Sequence, residues 1–168
     1  DSDGEKIPRN VGSALWDLVP TAGGEPCIED SPLVVCEGEV DALCAVSNGF
    51  NAVTGTAGAG TFKPEWASYA ASMIPAKRHG IVVAYDGDET GREGAQTAAQ
   101  RLHEAGADVR IASLPDGQDV NDVLLNGSET DLHAYIAQAE PYEPEPEDEH
   151  QDEASGPNVQ PLLGTEEP

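Results

Sequence analysis

Short apolar runs alternate with segments of helical periodicity through the middle of the chain. Four mostly apolar runs are typical of buried strands and cover residues 33–36, 51–54, 81–85 and 109–112. Segments with helical spacing cover about residues 40–46, 64–75, 91–105, 120–126 and 130–139. This alternation predicts an α/β fold, in which a small, Rossmann-like parallel sheet of about four strands carries flanking helices on both faces.

The two ends of the chain differ from this central part. Residues 1–30 hold a few apolar positions among Gly and Pro, which predicts an N-terminal arm or the end of a preceding domain. Residues 31–139 carry the alternating pattern and form the predicted domain. Residues 140–168 are acidic, rich in Pro and almost free of apolar side chains, so we expect a disordered acidic tail.

The net charge is extreme for a protein of this length. There are 32 acidic and 8 basic residues among 168, a formal charge of −24. We hypothesise a salt-loving source, because concentrated salt screens such a surface and keeps it soluble. No apolar run approaches the roughly 20 residues that span a bilayer, so we expect a cytoplasmic protein with no membrane partner.

Cysteine usage excludes two classes of small domain. Cys27, Cys36 and Cys44 are odd in number and include no Cys-x-x-Cys pair, which argues against a disulfide framework and a zinc ribbon. Free, buried thiols are expected instead.

Clusters of carboxylates follow three of the four predicted strands. They lie at residues 37–41, 86–92 and 116–122. Because the carboxyl ends of parallel strands meet at one edge of a sheet, these side chains should converge there. Like charges at one edge repel, and hard divalent cations with oxygen ligands relieve this repulsion. The pattern therefore favours a metal site.

The ordered set of motifs resembles the Toprim (topoisomerase-primase) family, in its branch of bacterial-type primases and phage primase-helicases. Glu37 and Asp41 match that branch's Glu-Gly-x-x-Asp, and Asp86 and Asp88 match its Asp-x-Asp pair, with Gly91-Arg92 continuing the motif. Asp119 and Asn121 match a third acidic element, although Gln118 stands where many primases have Lys. The resemblance covers about residues 33–126.

This resemblance implies a Mg²⁺-dependent (or Mn²⁺-dependent) nucleotidyltransferase of the Toprim fold that makes primers in DNA replication. Asp86 and Asp88 would hold the metal, and Asp41 and Asp119 would complete its shell. Glu37 would be the general base or an additional metal ligand. Both roles remain open.

The implied partners are a single-stranded DNA template and nucleoside triphosphates, with a replicative helicase or other replication proteins beside them. The residues expected to bind nucleotide or nucleic acid are Gly38, Lys63, Arg92, Arg101 and Asn121.

Three other functions fit parts of the pattern. A Toprim nuclease would use the same metal site on phosphodiesters, and a non-catalytic Toprim module would serve for protein or nucleic-acid contact. The segment Asp86-Gly87-Asp88-Glu89-Thr90 also fits the Asp-x-Asp-x-Thr motif of haloacid-dehalogenase-type phosphatases. That family, however, places this motif after its first strand and has a lysine before its last acidic motif, which is missing here.

Overall fold

A six-stranded sheet forms the centre of the protein. The computed structural model describes residues 15–17, 21–22, 25–26, 31–55, 61–73 and 80–144. The strands are β1 (Leu15–Asp17), β2 (Thr21–Ala22), β3 (Glu25–Pro26), β4 (Leu33–Cys36), β5 (Asn51–Gly55), β6 (Ile81–Ala84), β7 (Val109–Ile111) and β8 (Glu140–Pro141). The sheet has the order β1-β5-β4-β6-β7-β8, and β2 and β3 form a separate two-stranded pair.

Five helices of the described residues cover the sheet. They are α1 (Glu39–Ser47), α2 (Pro64–Met73), α3 (Glu89–Glu104), α4 (Val120–Asn126) and α5 (Glu129–Ala137). No described helix combines the length and the apolar character that a membrane crossing requires.

Two apolar cores lie on opposite faces of the sheet. Because side chains alternate along a strand, Val35 and Val83 pack on one face with α2 and α3, and Val34 and Val82 pack on the other with α1, α4 and α5. The buried positions of α3 are mostly Ala and Gly, which lets this helix approach the strands closely. The parallel strands are therefore buried on both faces, as their continuous apolar pattern predicts.

The predicted parallel sheet is confirmed. β5, β4, β6 and β7 are its four parallel strands, and the antiparallel strands β1 and β8 extend it at the two edges. Of the predicted free thiols, Cys36 is buried and Cys44 is half-buried, while Cys27 lies outside the described residues.

The strand order places a topological switch point between β4 and β6. From β4 the chain passes through α1 to β5 on one side, and from β6 it passes through α3 to β7 on the other. β4 and β6 pair in register, with Cys36 opposite Ala84. The residues that follow these two strands therefore emerge side by side, at the position where open α/β sheets bind their ligands.

The predicted start of the tail at residue 140 is too early. Glu140 and Pro141 pair with β7, and the Tyr142 N–H donates to the Val109 carbonyl at 2.9 Å. The half-buried Tyr142 ring lies 5.7 Å from the His103 ring. The composition of residues 140–141 did not reveal this strand, because β8 forms through backbone hydrogen bonds to the open edge of β7. Such an edge can pair with almost any sequence. Residues 145–168 lie outside the described part.

Two truncations test this boundary. Ending the chain after Tyr142 should change the Tm by no more than about 2 °C, because the removed sequence has few apolar groups with which to pack. Ending it after Ala139 removes β8 and the Tyr142 hydrogen bond, and should lower the Tm by about 4 °C or more. Differential scanning calorimetry of both forms and the full chain measures the difference. Equal Tm values for the two truncations would show that β8 does not stabilise the fold.

Candidate functional site

The carboxyl ends of β4 and β6 and the start of α4 bring five carboxylates to one edge of the sheet. Glu37 directly follows β4, while Asp86 and Asp88 follow β6. Asp41 lies in the first turn of α1, and Asp119 immediately precedes α4. These are the five acidic residues expected to form the site, and their carboxylates interact electrostatically with one another.

Three of these carboxylates meet backbone N–H groups at helix N-termini. Asp88 caps α3 by accepting from the Gly91 N–H at 2.7 Å, and Asp119 caps α4 by accepting from the Asp122 N–H at 2.6 Å. Asp41 accepts from the Asn121 N–H, also in the first turn of α4, at 3.2 Å. The unpaired N–H groups and the positive end of each helix dipole favour negative charge at these positions.

Asp41 links two helices rather than facing open solvent. Its carboxylate is buried, with 7% of the residue exposed. Burial raises the pKa of Asp41 to about 6, and repulsion from Asp119 and Glu37 adds to this effect, while hydrogen bonds from the Asn121 and Gly38 N–H groups oppose it. Asp41 thus ties α1 to α4 and contributes negative charge behind the more exposed acids.

Asp86 lies where the repulsion converges. Burial raises its pKa to about 6, and the neighbouring charges of Glu37, Asp41, Asp119 and Asp88 all act in the same direction. A carboxylate in this position is stabilised in its charged form by a nearby cation.

The residues present fit a hard divalent cation. The donors are all carboxylate oxygens, the class of ligand that Mg²⁺ and Mn²⁺ prefer. Oε2 of Glu37 is buried and has no hydrogen-bond partner, so the edge offers an unsatisfied acceptor beside Asp86. Within residues 31–55, 61–73 and 80–144, however, no three His, Cys, Asp or Glu side chains are already arranged around one point. The four-carboxylate shell expected from the sequence is therefore not closed as the side chains stand.

The two arginines expected to contact phosphate donate to backbone carbonyls. Arg92 Nη1 donates to the Gly87 carbonyl at 2.5 Å and to Asp116 Oδ1 at 3.2 Å. Arg101 Nη1 donates to the Phe62 carbonyl. Both guanidinium groups therefore already connect separate segments of the fold.

The other residues expected to bind nucleotide occupy varied positions. The Lys63 ammonium lies 5.0 Å from the centre of the Trp66 ring. Gly38 is the N-cap of α1 in an extended conformation, and the Asn121 amide oxygen accepts from Cys44 Sγ at 3.6 Å. Gly38 and Asn121 therefore border the carboxylates, whereas Lys63 immediately precedes α2.

Two buried residues near Glu37 were missed by the motif analysis. Thr54 is fully buried at the end of β5, and its hydroxyl donates to the Glu37 carbonyl at 3.2 Å. Tyr85 is also buried, and its pKa is raised by burial and further by the Glu37 charge, while Arg101 lowers it. A buried hydroxyl at the end of an apolar strand was the available signal for both, but the sequence alone does not show that these strand ends are neighbours.

A cavity of about 450 Å³ opens beside Asp86. It lies between α3 and the segment from β7 to α4, and Tyr85, Arg92, Ile111 and Leu114 are among its lining residues. Its volume lies within the range of pockets that hold small molecules.

Comparison with known proteins agrees with this arrangement. A family model described as Toprim-like matches residues 34–124, the segment from β4 to α4. The DNA primase of Clostridium acetobutylicum is 29% identical over 98 residues, which are 58% of this chain and 16% of that primase.

Solved primase structures also match the fold of this chain. The zinc-binding and RNA polymerase domains of the Aquifex aeolicus primase superpose with a TM-score of 0.59 at 25% identity, covering 68% of this chain and 27% of that one. The primase fragment of the bacteriophage T7 primase-helicase has a TM-score of 0.50 at 27% identity, covering 63% of this chain and 43% of that fragment.

The chain therefore corresponds to a minor part of each of these relatives. The haloacid-dehalogenase alternative gains no support, because the matched family model extends over all three acidic motifs. With more than half of its 168 residues inside that model and its carboxylates gathered at the switch point, the chain belongs to the Toprim-like family.

Proposed function

We propose that this chain is the Mg²⁺- or Mn²⁺-dependent nucleotidyl-transfer domain of a primase-like protein that makes primers on single-stranded DNA. The observation that carries the proposal is the convergence of five carboxylates at the switch point, where one oxygen of Glu37 is buried without a partner. Similarity to DNA primases supports a role in DNA replication. Replication proteins such as a replicative helicase are the proposed protein partners, and the cytoplasm the proposed location.

The acidic residues have different roles in the proposed reaction. Asp86 and Asp88 would hold the divalent cation, and Asp119 and Asp41 would add negative charge to its surroundings. When bound, the cation neutralises the triphosphate and lowers the pKa of the attacking 3′-hydroxyl. Because its helix-capping hydrogen bond occupies only Oδ1, Asp88 keeps its second carboxylate oxygen for this task.

Glu37 accepts the proton of the 3′-hydroxyl in this mechanism. Its buried Oε2 is available as a base, and the Thr54 hydroxyl fixes the backbone from which the side chain extends. The nucleoside triphosphate would lie at the same edge of the sheet, beside Asp86 and Glu37.

Primer synthesis is the direct test. The full 168-residue chain is incubated with single-stranded DNA, labelled nucleoside triphosphates and Mg²⁺ or Mn²⁺, and in parallel with end-labelled DNA alone. Labelled primers that disappear in the Asp86→Asn/Asp88→Asn variant support the proposal. Metal-dependent cleavage of the labelled DNA would indicate a Toprim nuclease instead. DNA binding with neither product would indicate a non-catalytic module.

Asp86→Asn should have opposite effects on stability with and without metal. In EDTA the variant should melt about 4 °C higher than the wild type, because it loses a charge that four neighbouring carboxylates repel. In Mg²⁺ the wild type should gain stability by preferential binding to the folded state, and the variant should gain much less.

Calorimetry in both buffers measures the two effects. Asp108→Asn is the matched control, because this exposed residue precedes β7 at the opposite edge of the sheet. Asp86→Asn/Asp88→Asn should lose the Mg²⁺ effect altogether, and Asn at position 88 can still cap α3. An undiminished Mg²⁺ effect in this double variant would place the metal elsewhere.

Glu37→Gln should separate catalysis from binding. The amide keeps the shape of the side chain but removes its basicity, so the rate of nucleotidyl transfer should fall by about 10² to 10⁴. Mg²⁺-dependent nucleotide binding and the Tm should change little. Single-turnover rates and nucleotide titrations measure the two properties, with Glu39→Gln in the first turn of α1 as the control.

The pattern of losses identifies the role of Glu37. If binding falls together with the rate, Glu37 is a metal ligand. If neither falls, Glu37 has no part in the reaction.

A further inference from the structure

The two loops that carry the acidic motifs after β6 and β7 are joined directly at Gly87. The Gly87 N–H donates to the Gln118 carbonyl at 2.9 Å, and the Gly87 carbonyl accepts from the Gly117 N–H at 3.3 Å. A Cβ atom at Gly87 would lie 2.0 Å from the Pro115 carbonyl oxygen. The loops therefore approach so closely that only glycine fits at this position.

Arg92 reinforces this junction from the first turns of α3. Its Nη1 donates to the Gly87 carbonyl in the first loop and to Asp116 Oδ1 in the second, at 2.5 and 3.2 Å. Asp116 is 97% exposed, so its ion pair with Arg92 contributes little by itself. The contact with the Gly87 carbonyl is short and charge-assisted, and it holds the guanidinium at the first loop so that the same Nη1 can reach Asp116 in the second.

The junction lies between the acids of the site. The first loop carries Asp86 and Asp88, and the second ends at Asp119. Repulsion between Asp86 and Asp119 acts to separate the two loops. Any contact that holds the loops together also fixes the distance between these carboxylates.

We propose that Arg92 is a positioning residue of the metal centre, which clamps the two acidic loops together, and that it does not serve mainly as a phosphate contact. The inference rests on the proposed function, because it concerns the same carboxylates.

The Kd for Mn²⁺, measured without nucleotide in an Arg92 variant, tests the clamp. Loss of the clamp and simple electrostatics predict changes of opposite sign. Arg92→Gln removes a positive charge near the acids, and by electrostatics alone this substitution would tighten cation binding. If Arg92 is a clamp, the loops loosen and the Kd for Mn²⁺ rises about two- to fivefold, because the Arg92 bond that crosses between the loops is the exposed ion pair with Asp116. Electron paramagnetic resonance of free Mn²⁺ with the full chain measures the Kd.

Two further variants serve as controls. Arg110→Gln removes the same charge from the middle of β7, outside both loops, and should leave the Kd unchanged or slightly lower. Arg92→Lys keeps the charge and can still donate to the Gly87 carbonyl, so it should recover part of the lost affinity. Because the Arg92 side chain is 60% exposed, we expect both of its variants to fold.

Hydrogen exchange in EDTA gives a readout that needs no metal. The Gly87 and Gly117 amides, which bond across the junction, should exchange faster in Arg92→Gln than in the wild type. The amides of β4 should exchange at the same rate in both proteins.

The outcomes distinguish failure of the clamp from failure of the metal centre. If Asp86→Asn/Asp88→Asn does not weaken Mn²⁺ binding, both proposals are wrong. If that double variant abolishes binding while Arg92→Gln binds Mn²⁺ as well as or better than the wild type, only the clamp is wrong. A loss in Arg92→Gln that is confined to nucleotide binding would make Arg92 a phosphate contact.

Discussion

Repulsion among carboxylates at one edge of the sheet is the constraint on which the rest of this structure depends. Burial and mutual repulsion raise the pKa of Asp41 and Asp86 to about 6, so the fold holds these groups together against an electrostatic cost. Backbone N–H groups at the starts of α3 and α4 offset part of that cost by binding Asp88, Asp119 and Asp41. A divalent cation at the same edge would offset the remainder, which is why the proposed function and the stability of the fold are coupled.

The sheet brings the acids together through its topology. β4 and β6 are adjacent and parallel although α1, β5 and α2 separate them in the chain. Their continuous apolar pattern buries both faces, so the polar residues that follow the strands are confined to the edge. The same arrangement places the Thr54 hydroxyl at the Glu37 backbone, since Thr54 lies opposite Cys36 near the end of the neighbouring strand.

Arg92 and Arg101, which the sequence predicts to contact phosphate, make hydrogen bonds within the fold. Each donates a hydrogen bond to a backbone carbonyl, Arg92 to Gly87 and Arg101 to Phe62. Arg92 also bonds to Asp116 in the loop after β7. Among residues 31–55, 61–73 and 80–144 there are four Lys or Arg side chains, and two of them are engaged in this way. These two guanidinium groups therefore have partners within the fold.

The sequence by itself determined the α/β class, the four parallel strands and the positions of all five acids, because strand burial and strand-end chemistry depend on local pattern. It did not reveal β8, whose pairing depends on the open edge of β7 and not on the composition of Glu140 and Pro141. Nor did it reveal the hydrogen bonds of Asp41 and Arg92, since their partners Asn121 and Asp116 are distant in the chain. Long-range hydrogen bonds of this kind exist only once the strands are ordered in the sheet, so the tertiary structure alone decides which motif residues make them.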